Sequence, residues 1–199
     1  GDASAGVKEA LAKGADYAVS SLGKSGGFMG NDKVKIKLPG YLEKADSALR
    51  MFGMGKQADQ LVETMNRAAE NAVAEAKPIL TESIKKMSVK DAKDILTGGE
   101  DSVTQYFKRT STDQLTAKFK PVVKKETAKL KLADQYNKFA GKAASAGLVD
   151  KQNADVDSYV TQKAMDGLFL MIAEEEKKLR ANPMGAGSDL LKNVFGALN

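Results

Sequence analysis

Four side chains form the set that could do chemistry: Arg67 and Glu70, three positions apart in one helical pattern, with Tyr106 and Glu175 far along the chain. A carboxylate beside a guanidinium or a phenol can exchange a proton, orient a polar ligand, or form a structural ion pair. These residues matter because of what is missing. Among 199 residues there is no His, no Cys and no Trp. A Ser-His-Asp triad, a cysteine nucleophile, a structural zinc site, an iron–sulfur cluster and His-ligated haem are therefore excluded. Catalysis would fall to Asp, Glu, Lys, Ser, Thr or Tyr, or to a hard cation on oxygen ligands. No motif calls for a cofactor or a resident metal.

Glu175 draws attention by its helical phase. Val160, Ala164, Leu168, Ile172 and Leu179 follow one apolar stripe, and Glu175 falls on it, with Glu174 and Glu176 turned to either side. A core-facing carboxylate is costly unless paired, so Glu175 is expected to be buried against an Arg, Lys or Tyr. Arg67, flanking a small-residue helix face, is the preferred partner, and Tyr106 a further donor. A second candidate site is apolar: Phe28, Met51, Phe52 and Met54 near a Gly-rich loop, against the simpler reading that they belong to the core.

Two motif-like strings carry less. Gly23-Lys-Ser25 resembles the end of a phosphate loop, but Ala18 stands where the motif needs Gly and a helix precedes it. Asn153, Asp155 and Asp157 alternate like a calcium loop, yet the required Gly and the closing Glu are absent, so helix capping is the better reading.

The elements that must position these residues are almost all helical, since apolar spacing of three and four dominates. The first helix is predicted over 3–22, burying Val7, Leu11, Ala15, Ala18, Val19 and Leu22 and stopping at Gly23. A second is expected over 39–52 and a long third over 56–87, kinked or broken by Pro78. Ser88 and Asp91 form a capping-box pattern opening a short helix to Leu96. Further helices are expected from Asp101 or Ser102, from Ser111 or Thr112 until Pro121 interrupts, over 122–144, over 155–180, and from Ser188. Residues 33–38, Val-Lys-Ile-Lys-Leu after Lys33, alternate strictly. With no second strand to pair with, they are expected to lie extended on the helices or in a short pair with the upstream loop. The chain thus reads as all-α: a single compact bundle-like domain spanning 1–199, of about eight helices with one extended segment.

Lys and Arg number 31 against 26 Asp and Glu, a net charge of +5, but only four of the basic residues are Arg. Nucleic-acid readout favours Arg and stacking aromatics, which are 6% here, so no nucleic-acid partner is expected. Residues 108–142 carry a net +7 and residues 150–176 a net −5. The two segments either pack together or leave a basic face for a weak contact with anionic lipid headgroups. The longest uninterrupted apolar stretch, residues 167–173, is far short of the roughly 20 residues of a membrane span.

Several strings together resemble a bacterial family catalogued as domain of unknown function 4197. They are Gly26-Gly-Phe28, Val34-Lys-Ile-Lys-Leu-Pro39, Met65-Asn-Arg-Ala-Ala-Glu70, Asp91-Ala-Lys-Asp-Ile-Leu-Thr-Gly-Gly99, Thr104-Gln-Tyr-Phe107, Gly167-Leu-Phe169, Ala173-Glu-Glu-Glu176 and Asp189-Leu-Leu-Lys-Asn-Val-Phe-Gly196. The resemblance spans almost the whole chain in order. It implies an exported protein of the envelope or periplasm, since members usually carry an export signal, and it brings no reaction, ligand or catalytic residue. The leading expectation is a non-catalytic helical protein binding an envelope ligand or partner. The alternatives are an enzyme using Glu70, Arg67, Tyr106 and Glu175, and an assembly protein whose segment 33–38 pairs with a partner chain.

Overall fold

The computed structural model describes residues 2–145, 147 and 155–181. Among them the chain forms nine helices and no strand: α1 (Asp2–Leu22), α2 (Gly40–Lys44), α3 (Asp46–Met51), α4 (Gly55–Val73), α5 (Lys77–Lys85), α6 (Val89–Thr97), α7 (Ser102–Thr127), α8 (Lys131–Ser145) and α9 (Val156–Ala181). The fold class is all-α. The helix expected from Ser188, and Asn153, lie outside the described residues.

Two compact units emerge. One comprises the chain up to Ser21, Ala76–Leu115 and the chain from Leu168; the other comprises Leu22–Glu75 and Thr116–Gly167. In the first, all the α1 positions expected to be buried up to Val19 are so, and Leu80, Ile84, Ile95, Phe107 and Ile172 complete an apolar core. In the second, α4 buries Leu61, Met65, Ala68, Ala69, Ala72 and Val73. Gly167 makes room there for a ring: a Cβ on it would lie 2.8 Å from the Phe28 ring.

The proline effects differ. Pro78 sits in the first turn of α5, and the helical pattern breaks at residues 74–76, as expected. Pro121, expected to interrupt, lies inside the continuous α7. Its position and that of Ala117, whose carbonyl loses its donor, are exposed, so the freed carbonyl faces solvent and the helix can continue. Ser111 and Thr112 accordingly cap nothing. Ser111 is buried and Thr112 bonds back to the Lys108 carbonyl. The expected 39–52 helix is divided at Ala45 into α2 and α3.

Of residues 33–38, Lys33 and Val34 belong to a turn in which the Val34 and Lys35 N–H groups donate to the Asn31 carbonyl (3.1 and 2.8 Å), and only residues 35–38 run free of helix or turn, short of the extended segment expected over the whole stretch. Val34, Ile36 and Leu38 are buried and the three lysines are exposed. Asn66 on α4 takes the place of a neighbouring strand: the Ile36 N–H donates to its Oδ1 (2.8 Å) and its Nδ2 donates to the Ile36 carbonyl (2.9 Å).

Candidate functional site

A cleft of about 550 Å³ lies within the first unit, between α1, α7 and α9. Leu11, Ala15, Val103, Phe107, Ile172 and Leu179 give it apolar walls, and Lys13, Glu175 and Lys178 supply charge. Small residues on α1 open the space. Gly14 faces α9, where a Cβ would sit 3.9 Å from the Glu175 Cβ.

One wall holds the polar hub of this unit. Glu176, 4% exposed, accepts from the N–H groups of Val103 (2.9 Å) and Thr104 (3.1 Å) and from the Thr104 hydroxyl (3.0 Å). Those amides belong to the first turn of α7, where a helix has unsatisfied donors and a positive dipole end. Arg180, one turn along α9, pairs with Glu176 at 3.0 Å. Its Nη2 also donates to the Ile95 carbonyl (3.1 Å) and to Ser102 Oγ (2.7 Å). The carboxylate thus meets the start of α7 and the guanidinium meets the end of α6, each with the dipole it complements.

This places the buried carboxylate one residue beyond the expected one. Glu175 is half-buried and pairs with Lys178 at 3.4 Å, an ammonium that also lies 5.8 Å from the centre of the Tyr17 ring. Arg67, expected as its partner, is exposed and bonds Glu63 at 2.8 Å on its own helix. Tyr106, the expected further donor, is buried and gives its hydroxyl to the Ser83 carbonyl at 2.5 Å.

Tyr106 borders a smaller polar cleft of about 240 Å³ with Glu82, Ser83, Lys86, Asp91, Thr110 and Gln114. Burial, and then the nearby Asp91 carboxylate, push its phenol above the usual tyrosine range, while Arg109 pulls the other way. Arg109 lies 5.4 Å over the ring and 3.8 Å from Asp91. Behind the cleft the hydroxyls of Ser83 and Ser111 meet at 2.7 Å, and Thr110 donates to Ser83 at 3.1 Å. Asp91 itself is held below the usual carboxylate range, chiefly by the Ser88 N–H; with the Ser88 side chain on the Asp91 N–H it completes the capping box of α6.

In the second unit Glu70, 6% exposed, accepts from the N–H groups of Gly26 (3.1 Å), Phe28 (3.0 Å) and Met29 (3.1 Å). Among the described residues no Lys or Arg pairs with it. Three converging amides play the part of a cation, and Gly26, at φ 82°, makes the turn that aims them. Phe28 and Phe52 do not form a pocket. Phe28 is fully buried against Gly167, while Phe52 is 82% exposed. Downstream, Tyr159 donates to the Lys37 carbonyl at 2.8 Å, and burial pushes its phenol up to about 12. Asp155 caps α9 through the Ser158 N–H (2.7 Å), matching the capping reading of that string.

The candidates therefore have separate duties: Glu70 fastens a loop, Arg67 bonds its own helix, Tyr106 bonds α5 and Glu175 rims the cleft. Glu176 and Arg180 went unread. Their signal was a spacing of four from Ile172 to Glu176 and four more to Arg180. Among the described residues no group of three acidic side chains gathers to hold a metal ion, and no helix is long and apolar enough to cross a membrane.

An all-α chain with a Gly-rich loop fastened by a helix carboxylate, and with an apolar cleft, is the class that fold and site define. Over residues 1–196 the sequence matches the model of the family described as protein of unknown function (DUF4197), and the chain belongs to that family. No curated protein and no solved structure matches it.

Proposed function

We propose that the chain is a non-catalytic binding protein of the bacterial periplasm, and that the cleft between α1, α7 and α9 takes an amphiphile: an apolar chain or ring with an acidic group. The cleft carries this reading. Its volume of about 550 Å³ falls in the range of small-molecule sites, roughly 300–1,000 Å³. Leu11, Phe107, Ile172 and Leu179 suit an apolar body, and Lys13 and Lys178 suit an acidic head. The most buried carboxylates support binding over proton transfer, because Glu70 and Glu176 already hold backbone amides. The periplasmic location rests on the family resemblance. The assembly alternative loses support because Asn66 and Tyr159 already hold backbone groups of segment 33–38.

The test uses anilinonaphthalene sulfonate as the probe and palmitate as competitor. Saturable binding of one dye per chain, displaced by palmitate and weakened at least tenfold by Gly14→Leu at the cleft mouth, is the expected result. A dye signal that does not saturate, or that Gly14→Leu leaves unchanged, would overturn the reading. DNA or RNA binding in the submicromolar range at about 0.15 M salt would redirect it to nucleic acid.

A further inference from the structure

The turn joining α3 to α4 carries an arrangement that the cleft does not use. Met51 is 86% and Phe52 82% exposed, side by side, whereas Phe28, Phe107 and Phe119 are fully buried. Single exposed apolar residues are ordinary, but two large neighbours held in water by an internally hydrogen-bonded turn are not.

The turn is fixed from within. The Phe52 N–H donates to the Ala48 carbonyl (3.0 Å), Gly53 to Arg50 (3.2 Å) and Met54 to Leu49 (2.7 Å), with Gly53 at φ 78°. Arg50 ties the two helices together, donating to Asp46 at 3.2 Å and to both oxygens of Asp59 at 2.7 and 3.3 Å. Met51 and Phe52 are thus presented on a preformed knuckle, so seating them elsewhere costs little ordering entropy.

Charge surrounds the pair. Lys44 and Lys56 are exposed on either side in sequence, and Lys35 and Lys37 line a groove shared with Arg50. Glu43, Asp46, Asp59 and Glu63 line the same groove and offset its bases, so the net +2 of residues 33–63 comes from Lys33, Lys44 and Lys56 outside it. Together the two apolar side chains expose on the order of 300 Å². That is well below the ~800 Å² per partner of a stable protein interface, whereas insertion into a lipid interface needs no complementary surface.

We propose that this knuckle is a peripheral membrane contact: Met51 and Phe52 enter the interfacial layer of an anionic bilayer while the flanking lysines meet its headgroups. The absence of Trp from the chain makes Phe52→Trp a single-site reporter. With vesicles of phosphatidylcholine and phosphatidylglycerol, its emission is expected to shift to the blue and to be quenched by spin-labelled lipid. The double variant Met51→Ser, Phe52→Ser is expected to lose vesicle co-sedimentation at least tenfold while its circular dichroism and melting stay unchanged. An emission unmoved by vesicles, or a double variant that sediments with them like the native chain, would overturn the proposal. So would a blue shift that grows with protein concentration in the absence of lipid, which would make the knuckle a contact between copies.

Discussion

Residues 23–39 and the α6–α7 junction at residues 95–104 pose the same physical problem: a stretch of backbone whose polar groups lack regular partners. Both are solved by side chains reaching from a distant helix. In the loop, Glu70 holds three amides, Asn66 both sides of Ile36, and Tyr159 the Lys37 carbonyl. At the junction, Glu176 holds two amides and a hydroxyl while Arg180 holds Ile95 and Ser102. The loop carboxylate is balanced by amide dipoles and the junction carboxylate by a guanidinium. Dipoles can be replaced by water wherever the site opens; a half-buried guanidinium that loses its carboxylate has less access to water.

Removing the junction carboxylate should have the largest effect. Glu176→Ala leaves the buried Val103 and Thr104 amides and the Thr104 hydroxyl unbonded and takes the carboxylate from a half-buried Arg180, which keeps Ile95 and Ser102, and is expected to cost about 3–5 kcal/mol in urea unfolding. Glu70→Ala should cost less, about 2–3 kcal/mol, because the Gly26 and Met29 amides are only partly buried and can recruit water. Its signature should be local: faster hydrogen exchange at Gly26, Phe28 and Met29 with the junction unchanged. Equal losses from the two variants would show that the counter-ion does not distinguish the regions.

Asn66→Ala removes a neutral partner and should cost about 1–2 kcal/mol, with exchange accelerating at Ile36. The smallest effect belongs to Tyr159. Burial raises its phenol to about 12 in the folded chain, above the ordinary tyrosine value of about 10. The stability it gives is therefore complete below pH 10 and is lost as pH climbs from there to about 12. Tyr159→Phe should cost about 1 kcal/mol or less at neutral pH and flatten this alkaline decline in a pH series of thermal melts.

Elements governed by local pattern were legible in the sequence. The α1 stripe, the break at Pro78, the capping box at Ser88 and the alternation of residues 33–38 all follow from spacing and turn chemistry. Pro121 was misread because whether a helix survives a proline depends on whether the freed carbonyl reaches water, a tertiary fact. Glu175 has a basic partner as expected, Lys178 rather than Arg67, but it is only half-buried, for a geometrical reason. Val160, Ala164, Leu168 and Ile172 recur every four residues, so the stripe drifts about 40° per step. Continuing the drift leads to Glu176, whereas closing the stripe on Leu179 led to Glu175, and Leu179 is only half-buried. Glu70 was singled out, but its role depends on amides 41 to 44 residues away. No local pattern encodes such a pairing.

The Asn66 amide on Ile36 has a consequence for the life of the chain before it is folded. A five-residue alternation of Val, Ile and Leu with lysines is a template for intermolecular cross-β growth. Its shelter here is Asn66, on a helix 30 residues downstream, and Tyr159, 122 residues downstream, so the hazard lasts until α4 and α9 have formed and docked. Lys33, Lys35 and Lys37 cover that interval as gatekeepers, since stacking identical segments in register would stack their charges. The alternation thus packs the finished molecule with one face and keeps unfinished copies apart with the other.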